Sequence, residues 1–213
     1  MKTMKKLLSI VLAGLLILSV GGCKIEVKDT TEVQNAWEVL QPDGTILVDS
    51  FDYPSLKSFL HRTTEVKDYH IIIHSPGGVA VNCVAMMNRI ADLQRQGAVI
   101  TTEVLGMGLS GGALLFIMGD NRIIHDGAVL MFHSAGFVWS GERMNAKKLY
   151  KTGNPDMMPS GDFLSMLDDR FAKRMKELGL TDKEVEDWLY HEDANFMNAA
   201  EALELNLANG LIN

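Results

Sequence analysis

Residues 106–135 read GMGLSGGALLFIMGDNRIIHDGAVLMFHSA. A glycine turn leads into a short apolar run of helical character, and two short strands follow. Ser110 sits inside the turn, as Gly108-Leu109-Ser110-Gly111-Gly112, and His133 closes the last strand, 23 residues later. This satisfies G-x-S-x-G, in which flanking glycines relieve the crowding of a nucleophile held on a sharp strand-to-helix turn. A serine hydroxyl is weak at neutral pH and needs a base, which His133 can supply. Each feature has a plainer reading: a Gly/Ser loop entering a buried helix is common packing, and a histidine ending an apolar strand is usually a core or rim residue.

Working outward, residues 69–78 (YHIIIHSPGG) give an isoleucine-rich strand stopped by a second glycine turn. Glycines at the end of a strand let backbone N–H groups approach a ligand, and the helix start that follows favours developing negative charge. Three motifs at strand ends, SPGG, GMGLSGG and FH, mark the edge where α/β sites gather. Strands are expected at Thr45–Val48, Tyr69–His74, Val99–Leu105, Arg122–His125 and Ala128–His133. Helices are expected at about Pro54–Arg62, Val79–Gln96, Gly111–Met118, Asp162–Leu178, Asp182–His191 and Ala199–Ala208. In the second helix Val79, Cys83, Met86, Ile90 and Leu93 recur at helical spacing as one buried face. Thr181 and Glu184 form a capping box. The alternation of short apolar runs with helical patterns predicts one α/β domain.

The whole chain is 213 residues, 47% hydrophobic and 22% charged, an ordinary globular composition. The formal net charge is −7, and loss of Lys2, Lys5 and Lys6 with a leader leaves −10. An acidic body argues against nucleic acid as a partner. Two cysteines exclude a disulfide scaffold, and the six histidines show no ligand spacing with cysteines or carboxylates, so neither metal nor cofactor is expected.

The N-terminus reads as an export signal: three lysines, the apolar run Leu7–Val20, then Val20-Gly21-Gly22-Cys23. The run suits the apolar core of a secretory signal better than a membrane span. Small residues before a cysteine resemble the bacterial lipobox, which implies residues 1–22 as leader, Cys23 as the lipidated residue and 23–43 as a polar tether. Multiple acyl chains would anchor the protein stably, at the cell membrane or outer membrane, facing the periplasm or exterior. An uncleaved anchor is the alternative. Cys83 is then expected to be a buried small hydrophobe.

Residues 44–213 resemble the proteolytic subunit of the Clp protease, within the ClpP/crotonase fold of β-β-α superhelix type. HIIIHSPGGVAV (70–81) is similar to that family's INSPGG segment, residues 106–135 to its serine-to-histidine segment, and FMNAAEALELNLANGLI (196–212) to its C-terminal ending. The resemblance implies a serine endopeptidase acting on peptides or unfolded protein. It implies Ser110 as nucleophile, His133 as base and then acid, and the N–H groups of Gly78 and Gly111 as oxyanion hole. The family's acid position falls on Ala194, so Asp193, one residue earlier, is the expected third member, with Glu192, Asp187 and Asp169 as substitutes.

Two departures keep alternatives open. His74 stands where the family has asparagine, either as a structural residue or as an added titrating group. Residues 136–163 (GFVWSGERMNAKKLYKTGNPDMMPSGDF) lack the family's glycine-rich substrate strand and carry Lys147, Lys148 and Lys151. These raise a serine–lysine mechanism like that of signal-peptide peptidases, since a desolvated lysine can act as base. An inactive scaffold, an acyl-CoA-processing crotonase relative and an α/β-hydrolase esterase are the other classes. The resemblance implies a homo-oligomeric ring; an exported protein would lack ATP and hence an ATPase partner.

Overall fold

A computed structural model describes residues 43–190 and 195–213, all within one unit, Pro42–Asn213. The expected leader, Cys23, nearly all of the tether and Asp193 lie outside the described residues. The main sheet runs β1 (Thr45–Val48), β2 (Tyr69–Ser75), β3 (Ile100–Leu109), β4 (Asn121–His125) and β9 (Gly210–Ile212) in spatial order. These neighbours are parallel. A further strand, β5 (Val129–Phe132), pairs parallel to β3, and β8 (Asn195–Asn198) closes antiparallel on β5. The α/β architecture is as expected. Among the described residues no helix is long and apolar enough to cross a membrane.

β2 explains how the sheet is oriented. Tyr69, Ile71, Ile73 and Ser75 are buried while His70 and Ile72 are only partly so and His74 is exposed. That period of two gives one face to the helical layer and one to the outside. The helical layer contains α1 (Tyr53–Arg62), whose first turn is capped by the Asp52 carboxylate accepting from the Ser55 N–H at 2.8 Å. It also contains α2 (Ala80–Arg95), which buries Cys83, Met86, Met87, Ile90 and Leu93. Val79 departs from that face: it is the N-cap and is half-exposed. All six residues of α3 (Gly111–Phe116) are buried.

β3 runs four residues further than its apolar stretch predicts. Its first half, Thr101–Val104, pairs with Asn121–Ile124 of β4; its second half, Met107–Leu109, pairs with Val129–Met131 of β5. The glycines between are what let it continue. A Cβ at Gly108 would sit 3.1 Å from side-chain atoms of both Leu130 and Val104, close enough that those side chains would have to give way.

After β5 the chain forms an antiparallel hairpin, β6 (Gly136–Trp139) and β7 (Glu142–Asn145), in a sheet of its own. Its two-residue turn, Ser140-Gly141, has φ of 51° and 82°, the positive pair that matches hairpin twist. Next come α4 (Ala146–Lys151), a 3₁₀ turn at Pro155–Met157, and α5 (Met158–Glu177), which starts four residues before its expected position. α6 (Asp182–Leu189) has the predicted capping box, and α7 (Ala199–Glu204) carries a second, from Asn198 and Glu201.

Two polar clusters tie the sheet together. On its outer face Glu103 lies between His70 (Nε2 to Oε2, 2.7 Å) and His125 (Nε2 to Oε1, 2.8 Å). The His125 contact is a hydrogen bond; His70 Nε2 makes none. Sequence spacing gave no sign of this grouping, because its members come from three adjacent strands. No group of His, Cys, Asp or Glu among the described residues has the geometry of a metal site.

The second cluster is Arg122, 6% exposed. Its guanidinium donates to the carbonyls of Leu207 (2.9 Å), Asn206 (3.1 Å), Gly119 (3.1 Å) and Asp120 (3.3 Å). Burial pulls its pKa below the usual arginine value. These bonds fasten the segment after α7 to β4. Arg122→Met leaves several carbonyls without a donor and is expected to cost about 3 kcal/mol, read by chemical denaturation against wild type.

Candidate active site

The chain brings three strand ends to one place. Ser75 of β2 is in register with Gly108 of β3, and Leu109 of β3 with Met131 of β5. Because all three strands are parallel, the turns that follow them emerge on the same edge. Ser110 therefore stands beside the end of β5, and its N–H donates to the Met131 carbonyl at 2.7 Å. His133 leaves the same strand end two residues later.

Ser110 has φ 54° and ψ −116°, in the left-handed half of backbone space that costs a side-chain-bearing residue about 1–3 kcal/mol. Its surroundings enforce this. A Cβ on Gly77 (φ 101°) would lie 2.7 Å from Ser110 Cβ and 3.1 Å from its Oγ, so only glycine passes here. The SPGG turn thus lies against the serine. The N–H of Gly77 is held by Ser75 Oγ at 3.1 Å.

The two expected oxyanion glycines share a support that sequence reasoning missed. Phe51, fully buried in the β1–α1 connection, contacts both: a Cβ on Gly78 would sit 3.0 Å from Phe51 Cβ, and one on Gly111 3.2 Å from its ring. The Phe51 carbonyl also accepts from the Val79 N–H at 3.3 Å and Asn82 Nδ2 at 2.9 Å. One wedge therefore fixes the helix start of α2 and that of α3 relative to each other. No hydrogen bond occupies the N–H of Gly78 or Gly111 among the described residues.

Around His133 the structure places residues that spacing did not suggest. Nδ1 lies 2.7 Å from the Ser134 carbonyl and 2.6 Å from Arg143 Nη2 on β7. Arg143 also donates to the Ser134 carbonyl. Asp168 of α5, 3% exposed, accepts from the Ala135 N–H, and Asn145 Nδ2 donates to Ser134 Oγ at 3.3 Å. Burial holds the His133 pKa below its ordinary value, and the Arg143 cation lowers it further against the opposing Ser134 carbonyl. Burial raises the Asp168 carboxyl to about 7, although the Ala135 N–H and Arg143 both pull it down. No hydrogen bond joins His133 to Ser110 among the described residues.

The substitute acids are elsewhere. Asp169 is exposed, and Asp187 is ion-paired with Lys183 at 2.5 Å on the outer side of α6. Asp193 and Glu192 lie outside the described residues. Lys147 and Lys151 are exposed and Lys148 pairs with Glu142 at 2.8 Å, so none of the three has the desolvation a basic lysine needs. His74 projects from the outer face of β2, its ring 3.1 Å from where a Cβ on Gly106 would be. Cys83 is buried, its thiol raised to about 12 by desolvation. Starting at Val79, directly after the SPGG turn, runs an apolar groove of about 440 Å³, bounded by Val79, Val81, Phe137, Phe163 and Leu167.

Ser110, in its strained conformation, thus stands where three parallel strand ends meet. Residues 56–213 match the family model of Clp protease, and the chain belongs to that family of peptidases. No curated protein matches it.

Two outcomes follow for stability. Ser110→Gly is expected to exceed Ser110→Ala by about 1 kcal/mol in denaturation, since glycine adopts the same φ without strain. For Asp168, a folded-state pKa raised from 3.8 to about 7 means the native state holds the proton more tightly than the unfolded chain. Stability then falls as pH rises through that window and levels above it. Asp168→Asn keeps an acceptor for Ala135 and removes the titration, so its stability relative to wild type should climb between pH 4 and 7.

Proposed function

We propose that the chain is a serine endopeptidase that hydrolyses peptide bonds through an acyl-enzyme on Ser110. The observation that carries this reading is the strained Ser110 backbone, over-determined by Gly77 and by the bond to Met131, since such strain persists where function maintains it. His133 takes the hydroxyl proton and returns it to the leaving amine. The N–H groups of Gly78 and Gly111 stabilise the tetrahedral oxyanion, a donor pair worth a few kcal/mol per member. Asp193 remains the proposed third member.

The substrate is a peptide or unfolded segment. The groove along β6 is apolar, and the exposed β6 strand offers backbone groups to an extended chain. Clp proteases generally assemble as rings, and a homo-oligomer is proposed here. The N-terminal lysines, apolar run and Gly22-Cys23 support a lipidated tether at Cys23 holding the enzyme at a membrane surface, outside the cytoplasm and without an ATPase.

The test is labelling of full-length protein by a fluorophosphonate probe. Wild type is expected to label, Ser110→Ala to lose all labelling and His133→Ala to lose at least a hundredfold in rate. Asp193→Asn should fall between them. Survival of labelling in Ser110→Ala would end the reading. Incorporation of radiolabelled palmitate, absent in Cys23→Ser, tests the tether.

A further inference from the structure

The hairpin after His133 carries a surface that the serine site does not use. All four residues of β6 are exposed, Val138 at 73% and Trp139 at 58%. The hairpin pairs with no strand of the main sheet, and two strands alone gain little stability. Gly136 and Phe137 line the apolar groove, whereas Val138 and Trp139 do not. A large apolar pair at the end of β6 therefore serves neither the core nor the groove.

Cations gather beside it. Residues 136–151 hold Arg143, Lys147, Lys148 and Lys151 against one carboxylate, Glu142, in a chain of net charge −7. Glu142 is in register with Trp139 and pairs with Lys148 at 2.8 Å, which draws the first turn of α4 against the end of the hairpin. Arg143 is turned inward to the Ser134 carbonyl. α4 buries Ala146 and Leu149 and exposes Lys147 and Lys151, one turn apart on its outer side. Neither lysine forms an ion pair among the described residues. Of the acids that follow, Asp162 accepts from the Tyr150 hydroxyl at 2.8 Å and Asp156 is exposed.

We propose that the end of β6 and the outer side of α4 dock on a lipid bilayer containing anionic headgroups, with Val138 and Trp139 at the boundary of headgroups and acyl chains and Lys147 and Lys151 on the phosphates. Tryptophan suits that depth, since its ring is apolar and its N–H still finds a polar partner. Lysine stems lie along apolar surface while the ammonium stays with phosphate. The acidic remainder of the chain is repelled by such a bilayer, so this cationic face is the one admitted. Two apolar side chains fall far short of the roughly 800 Å² per partner that a stable protein interface buries. They are enough to orient a chain already held at a membrane. The inference rests on the proposed tether at Cys23, which supplies proximity, while the hairpin supplies orientation.

The test uses full-length Trp37→Phe protein, whose remaining tryptophans are Trp139 and the partly buried Trp188. It is reconstituted with phosphatidylcholine vesicles, with and without phosphatidylglycerol, carrying lipids brominated close to the headgroups. The expected result is tryptophan quenching in the anionic vesicles that disappears when Trp139→Phe is added. Lys147→Gln with Lys151→Gln should lower the ratio of docked to undocked hairpin by about tenfold or more, and high salt should act in the same direction. Flotation with the vesicles reads the tether separately. Protein that floats without quenching of Trp139 overturns the docking and leaves the tether standing; protein that does not float overturns both. Trp139 emission that shifts on adding peptide or raising protein concentration, with no quenching by lipid, gives the surface to a substrate or a second copy and overturns the docking as well.

Discussion

Everything about this site depends on the chain turning through Ser110 at φ 54°. That conformation is unfavourable for serine alone, so the fold has to hold it from outside. The Met131 carbonyl fixes its N–H, Gly77 closes one side, and the wholly buried α3 prevents relaxation downstream. Each restraint in turn requires something of the sequence. Gly77 must lack a side chain, β5 must lie in register with the second half of β3, and β3 must extend through Gly106-Met107-Gly108 to reach it.

The two halves of the site are built differently. The Ser110 half is made of parallel strand ends and short buried segments, with Phe51 wedged between the helix starts that carry Gly78 and Gly111. The His133 half is a loop, Ser134-Ala135, pinned by side chains from β7 and α5. Packing holds the first and polar contacts hold the second. Polar contacts to a loop are exchangeable at small cost, whereas displacing Phe51 would open a cavity.

Much of this could be read in the sequence, and the reasons for what could not are physical. The glycine turns and the closing histidine were legible because strand-end chemistry is local: residue type and position suffice. Phe51, Arg143 and Asp168 were not, because each reaches the site from an element distant in sequence and looks ordinary in its own. The β6–β7 hairpin hid for another reason. Its strand GFVW is exposed throughout, so no alternation marks it, and its one signal is the turn Ser140-Gly141 between two four-residue runs. The extension of β3 was masked by glycines, which ordinarily end strands and here permit close approach. Val79 looked like part of a helical stripe, yet it caps the helix and faces the groove. Asp193 lies outside the described residues and stays an assignment by position.

The arrangement of glycines and groove has a bearing on how such a protein can diverge. Gly77, Gly78, Gly111 and Gly112 each face backbone or buried atoms within 3.2 Å of a notional Cβ, so drift at these positions is closed off. Val79, Val81, Phe137 and Phe163 are partly exposed and border the groove without contributing to the serine turn. On the proposed reading, a lineage can therefore alter the side chains along the groove while the serine turn stays fixed. The proposed preference and the proposed reactivity then reside on separate residues, so one can change without the other.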